Sequence, residues 1–214
     1  MESNIRTSCL QNDGICPTTD KESHQDESTL TRMKDLGKLL QDQGKYEEAE
    51  QIIRRALAGY EEALGLDPPD TLMCVSNLAT VIQIQGKYEQ AEEINRRALV
   101  GYTKALGADH PHTLRSMSNL ATVLQDQRKY ADAEEISRQA LTGFENALGA
   151  DHLDTLTCVG NLAMVLQDQK KYEEAEKMHR RALTWHQKAP RAEYVPCQQR
   201  DSYTGPQMIA TCFL

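Results

Sequence analysis

The chain has 214 residues and a formal charge of −8, with 26% charged and 39% hydrophobic residues but only two Phe and one Trp. An acidic balance with no basic stripe excludes a nucleic-acid backbone and an anionic membrane surface as partners. No apolar run reaches the ~20 residues that span a bilayer, and no charged-then-apolar start reads as a secretory signal, so the expected compartment is the cytoplasm.

Residues 1–28 are polar and acidic, with Glu2, Asp13, Asp20, Glu22, Asp26 and Glu27 against Arg6 and Lys21. They lack apolar periodicity and read as a disordered leader. A period then takes over. Thr29 returns as Thr71, Thr113 and Thr155, and Lys45-Tyr46 as Lys87-Tyr88, Lys129-Tyr130 and Lys171-Tyr172, always 42 residues on. Asn77-Leu78-Ala79 returns as Asn119-Leu120-Ala121 and Asn161-Leu162-Ala163 at the same interval. A period of this size marks stacked units, each touching only its neighbours. The expected units are 29–70, 71–112, 113–154 and 155–189.

Each unit predicts two helices. Leu72, Val75, Leu78, Ala79 and Ile82 form one apolar face at three-to-four spacing, and Gly86 ends it. Tyr88, Ala91, Ile94, Ala98, Leu99, Tyr102 and Leu106 form the second, stopped by Gly107. Asp109 is expected to cap the next helix with Pro111 in its first turn. Asp67 with Pro68 and Pro69, and Asp151 with Leu153, are the corresponding expectations in the flanking units. Ala79, Ala121, Ala91 and Ala98 let paired helices lie close, and Gly37 takes that place in the first unit. Glu47-Glu48, Glu92-Glu93 and Glu173-Glu174 mark the wet face of the second helices. They are expected to pair with Arg54, Arg55, Arg96, Arg97, Arg180 and Arg181, at roughly 0.2–0.5 kcal/mol per pair.

The fourth unit departs from the others near its end, with Pro190-Arg191 where earlier copies have Leu-Gly. Residues 190–214 contain Pro196, Gly205 and Pro206 and predict an irregular tail. An array needs a polar cap at each end, so the expectation is either a piece of a longer array or an uncapped C-terminal repeat that docks on a partner or on another copy. Cys74 and Cys158 sit two units apart, beyond the ~7 Å reach of a disulfide, and read as reduced thiols.

No chemistry survives inspection. Gly37 and Gly44-Lys45 imitate a phosphate-binding loop, but their spacing is too long and Tyr46 replaces the magnesium-binding hydroxyl. His110 and His112 lie in a turn, and His179 and His186 have no third ligand at zinc spacing. No catalytic residue, metal or cofactor is expected, and the chain does not read as an enzyme.

Thr113-Leu114, Asn119-Leu120-Ala121, Lys129-Tyr130, Ala133-Glu134, Ala140-Leu141 and Leu148-Gly149, preceded by Asp109-His110-Pro111, resemble the tetratricopeptide repeat. The likeness is to its 42-residue variety in kinesin light chains and many fungal proteins, and it covers about three quarters of the chain. It implies an all-α fold, an α-solenoid of four tetratricopeptide-like helix-turn-helix repeats with disordered termini. It also implies a non-catalytic protein–protein interaction scaffold that binds a peptide or helix in a concave groove lined by the first helices. Carried over to this chain, the groove residues are Lys34 and Lys38 in the first repeat, and Asn77, Thr80 and Gln83 in the second. The third supplies Arg115, Asn119, Thr122 and Gln125, and the fourth Asn161, Met164 and Gln167. Each amide offers both a donor and an acceptor to an extended backbone. Alternatively, the asparagines satisfy backbone groups between helices and the glutamines are helix formers on a wet face. Two narrower functions accompany the resemblance. One is a kinesin-light-chain-like cargo adaptor, although residues 1–28 lack the heptads that would join a heavy chain. The other is the recognition portion of a fungal nucleotide-switch protein of the NACHT or NB-ARC type.

Overall fold

The computed structural model describes residues 27–188; the predicted leader up to residue 26 and the tail from 189 fall outside them. Eight helices and no strand occur among the described residues: α1 (Glu27–Asp42), α2 (Tyr46–Leu64), α3 (Pro69–Ile84), α4 (Tyr88–Leu106), α5 (Pro111–Asp126), α6 (Tyr130–Leu148), α7 (Leu153–Asp168) and α8 (Tyr172–Lys188). Helix α1 thus begins at Glu27, inside the stretch read as leader. The chain is a four-repeat α-solenoid. Each helix packs on the next, and first helices also meet directly, α1 with α3 and α5 with α7. No two second helices approach as closely. An array crowded on one side and spread on the other bends toward the crowded side, which places the first helices on its inner face.

The turn inside each repeat is set by one left-handed residue. Gly44 and Gly86 have φ of 77° and 76°, and Arg128 and Lys170 hold the same conformation at 62° and 64°. The amide of Lys45 donates to Leu40 O and that of Gly44 to Gln41 O, and the pattern recurs in all four repeats. This double bond pattern satisfies carbonyls that a helix end leaves open. Arg128 and Lys170 hold the conformation at a steric cost that glycine avoids, roughly 1 kcal/mol each. Between repeats, Gly65, Gly107 and Gly149 are left-handed too, with φ of 95°, 94° and 91°.

The residues that open the next first helix differ from the expected ones. The caps are Pro68, His110 and His152, not Asp67, Asp109 and Asp151. The ring nitrogen of His110 accepts from the His112 amide at 3.2 Å, and that of His152 from the Asp154 amide at 3.1 Å. The aspartates stand one residue too early for that geometry. The recurrent threonine closes the joint. Thr71, Thr113 and Thr155 are buried, and each hydroxyl donates to the carbonyl of the preceding glycine turn, at 2.9, 2.7 and 2.8 Å.

The core is a strip along the array. Leu72, Val75, Leu78 and Ile82 are buried, as are Leu120, Leu124, Leu162 and Leu166 at corresponding places. Small residues permit the close approach. A Cβ on Gly37 would lie 2.4 Å from Ile53 Cγ1, and one on Gly143 2.3 Å from Leu114 Cδ2. Cys74 and Cys158 are free and buried. Burial pushes their thiols up to about 12 and about 11, so both are neutral and unreactive at ordinary pH.

Charge ties the outer face together, partly by another route than the predicted one. Within a helix the pairs are Glu50–Arg54, Glu92–Arg96, Glu134–Arg138 and Glu176–Arg180. Across the joints, Lys87 reaches Glu50 at 3.1 Å, Lys129 reaches Glu92 at 2.9 Å and Lys171 reaches Glu134 at 2.7 Å. Arg97 and Arg181 cross to Glu61 and Glu145 of the preceding repeat, and Arg138 crosses to Glu174 of the following one. Lys129, in spite of partial burial and with help from Arg96, holds the Glu92 carboxyl down at about 2. Burial would raise Glu134, but Lys171, Arg138 and Gln169 outweigh it and hold it at about 2 as well.

Candidate functional site

The inner face carries one polar row per helix. Asn77 on α3, Asn119 on α5 and Asn161 on α7 occupy the same register and are all half-exposed. Thr80 and Thr122 lie one turn on, as does Met164 in the fourth repeat, and these are half-exposed too. The threonine hydroxyls donate to their own helices, Thr80 to Ser76 O at 3.1 Å and Thr122 to Asn119 O at 2.8 Å. Their oxygens are therefore left chiefly as acceptors for any further contact.

The glutamines divide. Gln83 donates its amide to Asp126 on the next first helix, and Gln125 donates to Asp168, both at 2.6 Å. They clamp neighbouring repeats, leaving the carbonyl oxygen for other contacts. Gln167, at the same register in the last repeat, is exposed. Two residues after Gln167, Gln169 faces backward and donates to Tyr130 O at 2.8 Å.

The basic candidates are spread along the array. Lys34 is half-buried and Lys38 exposed on α1. Arg115 pairs with Asp154 at the start of α7, at 3.2 Å. That pairing neutralises much of its pull on an acidic ligand.

Sequence reasoning missed one feature. Met73, Ser76, Tyr102, His112, Arg115, Ser116 and Asn119 line a shallow depression where α3, α4 and α5 meet. His112 stacks on Tyr102, with centroids 5.7 Å apart and planes 14° apart, and His110 stacks on His112 at 5.3 Å. Partial burial, then the nearby Arg115 charge, lower the His112 pKa, favouring a neutral ring with a flat, hydrogen-bonding edge. His110 caps α5 and His112 lies in its first turn, which is where the sequence offered a signal. The acidic partners Asp126, Asp154 and Asp168 were equally unmarked.

Among the described residues, no three His, Cys, Asp or Glu side chains converge as a metal site. Among the same residues, no helix is long and apolar enough to cross a membrane.

Sequence models of the tetratricopeptide repeat match residues 29–70, 70–146 and 116–188. A search of curated protein sequences finds no match. Several solved structures share the fold. One holds the nearly identical TPR-like repeats of a Podosopora anserina protein provisionally classed as a kinesin light chain. It is 24% identical, covers 79% of this chain and 80% of that one, and has a TM-score of 0.64. BtubC (BKLC) from P. vanneervenii is 24% identical over 77% of this chain and 65% of its own, with a TM-score of 0.68. The apo form of RapI is 17% identical over 76% of this chain and 44% of its own, with a TM-score of 0.64. With the repeat recurring across most of its length and eight helices stacked in that register, the chain belongs to the tetratricopeptide repeat family.

Proposed function

We propose that this repeat scaffold holds an extended peptide, or one face of a partner helix, along its first helices in the cytoplasm, without catalysing a reaction. The observation that supports it is the row Asn77, Asn119 and Asn161, set at one register on three adjacent helices and half-exposed. Three equally spaced amides suit an extended main chain, whose own donors and acceptors repeat. The shallow depression beside Asn119, lined by Tyr102 and His112, is a further surface for contact. We also propose a second class of partner, another copy of the chain docked on the last repeat.

The groove is tested by affinity capture with the wild type and with Asn77→Ala, Asn119→Ala and Asn161→Ala combined. The variant should keep its helical circular dichroism and lose the captured partner. Capture of the same partner at equal yield would place the interface elsewhere.

A further inference from the structure

The two ends of the array expose surfaces that its internal joints bury. At the N-terminal end, Leu36 and Leu39 are 44% and 53% exposed. At the same registers in later repeats, Leu78, Leu120, Leu162, Val81, Val123 and Val165 are at most 3% exposed. The difference is the preceding repeat, which covers them. At the C-terminal end, Leu183 is 59% exposed, against 8% for Leu57 and for Leu141 and partial burial for Leu99 at its register. Tyr172 is exposed as well, whereas Tyr46, Tyr88 and Tyr130 are partly covered.

We infer that copies of the chain stack head to tail, the first repeat of one seating on the last repeat of another in the register of an internal joint. This rests on the proposed self-association and names its other half. Charge complementarity selects the occupant. Lys87–Glu50, Lys129–Glu92 and Lys171–Glu134 cross the three internal joints. One period further on, the acceptor is Glu176 and the donor is Lys45 of the second copy. Glu176 already accepts from Arg180 at 2.5 Å, as Glu134 accepts from Arg138 at 2.9 Å beside Lys171. The clamps Gln83–Asp126 and Gln125–Asp168 continue in the same way to Gln167 and Asp42 of the second copy. The Arg138–Glu174 pair continues to Arg180 and Glu48. Lys45, Asp42, Glu48, Gln167 and Arg180 are all exposed.

The flanking segments are poorer occupants. Neither residues 1–26 nor 189–214 contains the Lys-Tyr-x-x-Ala-Glu register that supplies these pairs. Arg32 weakens the joint through the cost of desolvating its charge. It occupies the register of Cys74, Ser116 and Cys158, all buried, and carries a charge into the seam. The association is therefore reversible and concentration-dependent. Because the two surfaces differ, it is also open-ended.

Sedimentation velocity on the full chain tests this. The weight-average mass of the wild type should climb with concentration past two chains. Leu36→Glu with Leu39→Glu blocks one face, and Leu183→Glu the other. Each variant alone should be a folded monomer, and an equimolar mixture should stop at two chains, since each contributes one intact face. Lys45→Glu should weaken association roughly tenfold, and adding Glu176→Lys should restore it. A closed wild-type dimer, or blocked variants that fail to pair when mixed, would overturn the head-to-tail arrangement and leave self-association standing. A monomer at every concentration would overturn both. None of these outcomes touches the groove, whose residues the variants leave intact.

Discussion

Thr113→Val removes one hydroxyl from the middle joint and almost nothing else. Thr113 is buried, and its Oγ1 donates to Gly107 O at 2.7 Å. Gly107 lies at the left-handed end of α4, where no following helical amide is available to its carbonyl. Valine keeps the shape and the β-branch but leaves that acceptor without its donor. Losing the bond with the acceptor half-hidden costs about 1–2 kcal/mol, and the extra apolar methyl returns about 0.8 kcal/mol at most. A net loss of about 1 kcal/mol lowers the melting temperature of a chain this size by about 2–4 °C. Thr29 is the internal control. It holds the same place in the first repeat, is exposed, and has no glycine turn before it among the described residues. Thr29→Val should change stability by no more than about 0.5 kcal/mol. Urea denaturation followed by circular dichroism reads both, and hydrogen exchange across the α4–α5 turn localises the effect. Equal losses at the two sites, or none at Thr113, would refute the clasp.

Further perturbations have signs fixed by the same structure. Asn95 is buried and its Oδ1 has no hydrogen-bond partner, while the first repeat has Ile53 at that register, so Asn95→Leu should stabilise by about 1 kcal/mol in urea melts. A Cβ on Gly160, inside α7, would meet nothing within 4 Å, so Gly160→Ala should gain about 0.5–1 kcal/mol. Gly143→Ala should gain nothing in the same assay, because Leu114 must move aside. The folded-state pKa values of Glu92 and Glu134, about 2, lie below their ordinary 4.5. Their stabilisation is complete above about pH 5 and drains away as pH falls from there toward 2. Acid titration of ellipticity should show that loss, with a shallower slope when both are changed to Gln.

Much of the fold was legible because the period is written in residue types. The Lys-Tyr pair, the small residues and the glycines each recur in register, and helix ends follow from glycine and proline chemistry that operates within a few residues. The helix starts were misplaced by one residue. An aspartate next to Pro68 or His110 looks like a cap, and only the backbone direction shows that the following residue takes the role. The groove was harder. Gln83 and Gln125 read as free amides because their partners, Asp126 and Asp168, lie one repeat and one residue further along, a separation that local helical spacing does not reveal. Arg115 was placed in the groove without its partner for the same reason, since Asp154 is contributed by the next repeat. The recurrence of Thr71, Thr113 and Thr155 was visible, but its purpose needed the glycine carbonyl each one meets. The stacked Tyr102 and His112 come from different helices and had no joint signature.

The lysine–glutamate rung across each joint has a bearing on how such chains change length. The lysine stands near the start of a second helix and the glutamate five residues after it, so every unit carries both a plug and a socket. An in-frame copy of one unit, inserted anywhere between its neighbours, arrives with both already in place. Lengthening by gene duplication therefore demands no compensating change at the new seam. Deletion of a unit is tolerated for the same reason, so related chains can gain or lose rungs while each surviving joint keeps its chemistry.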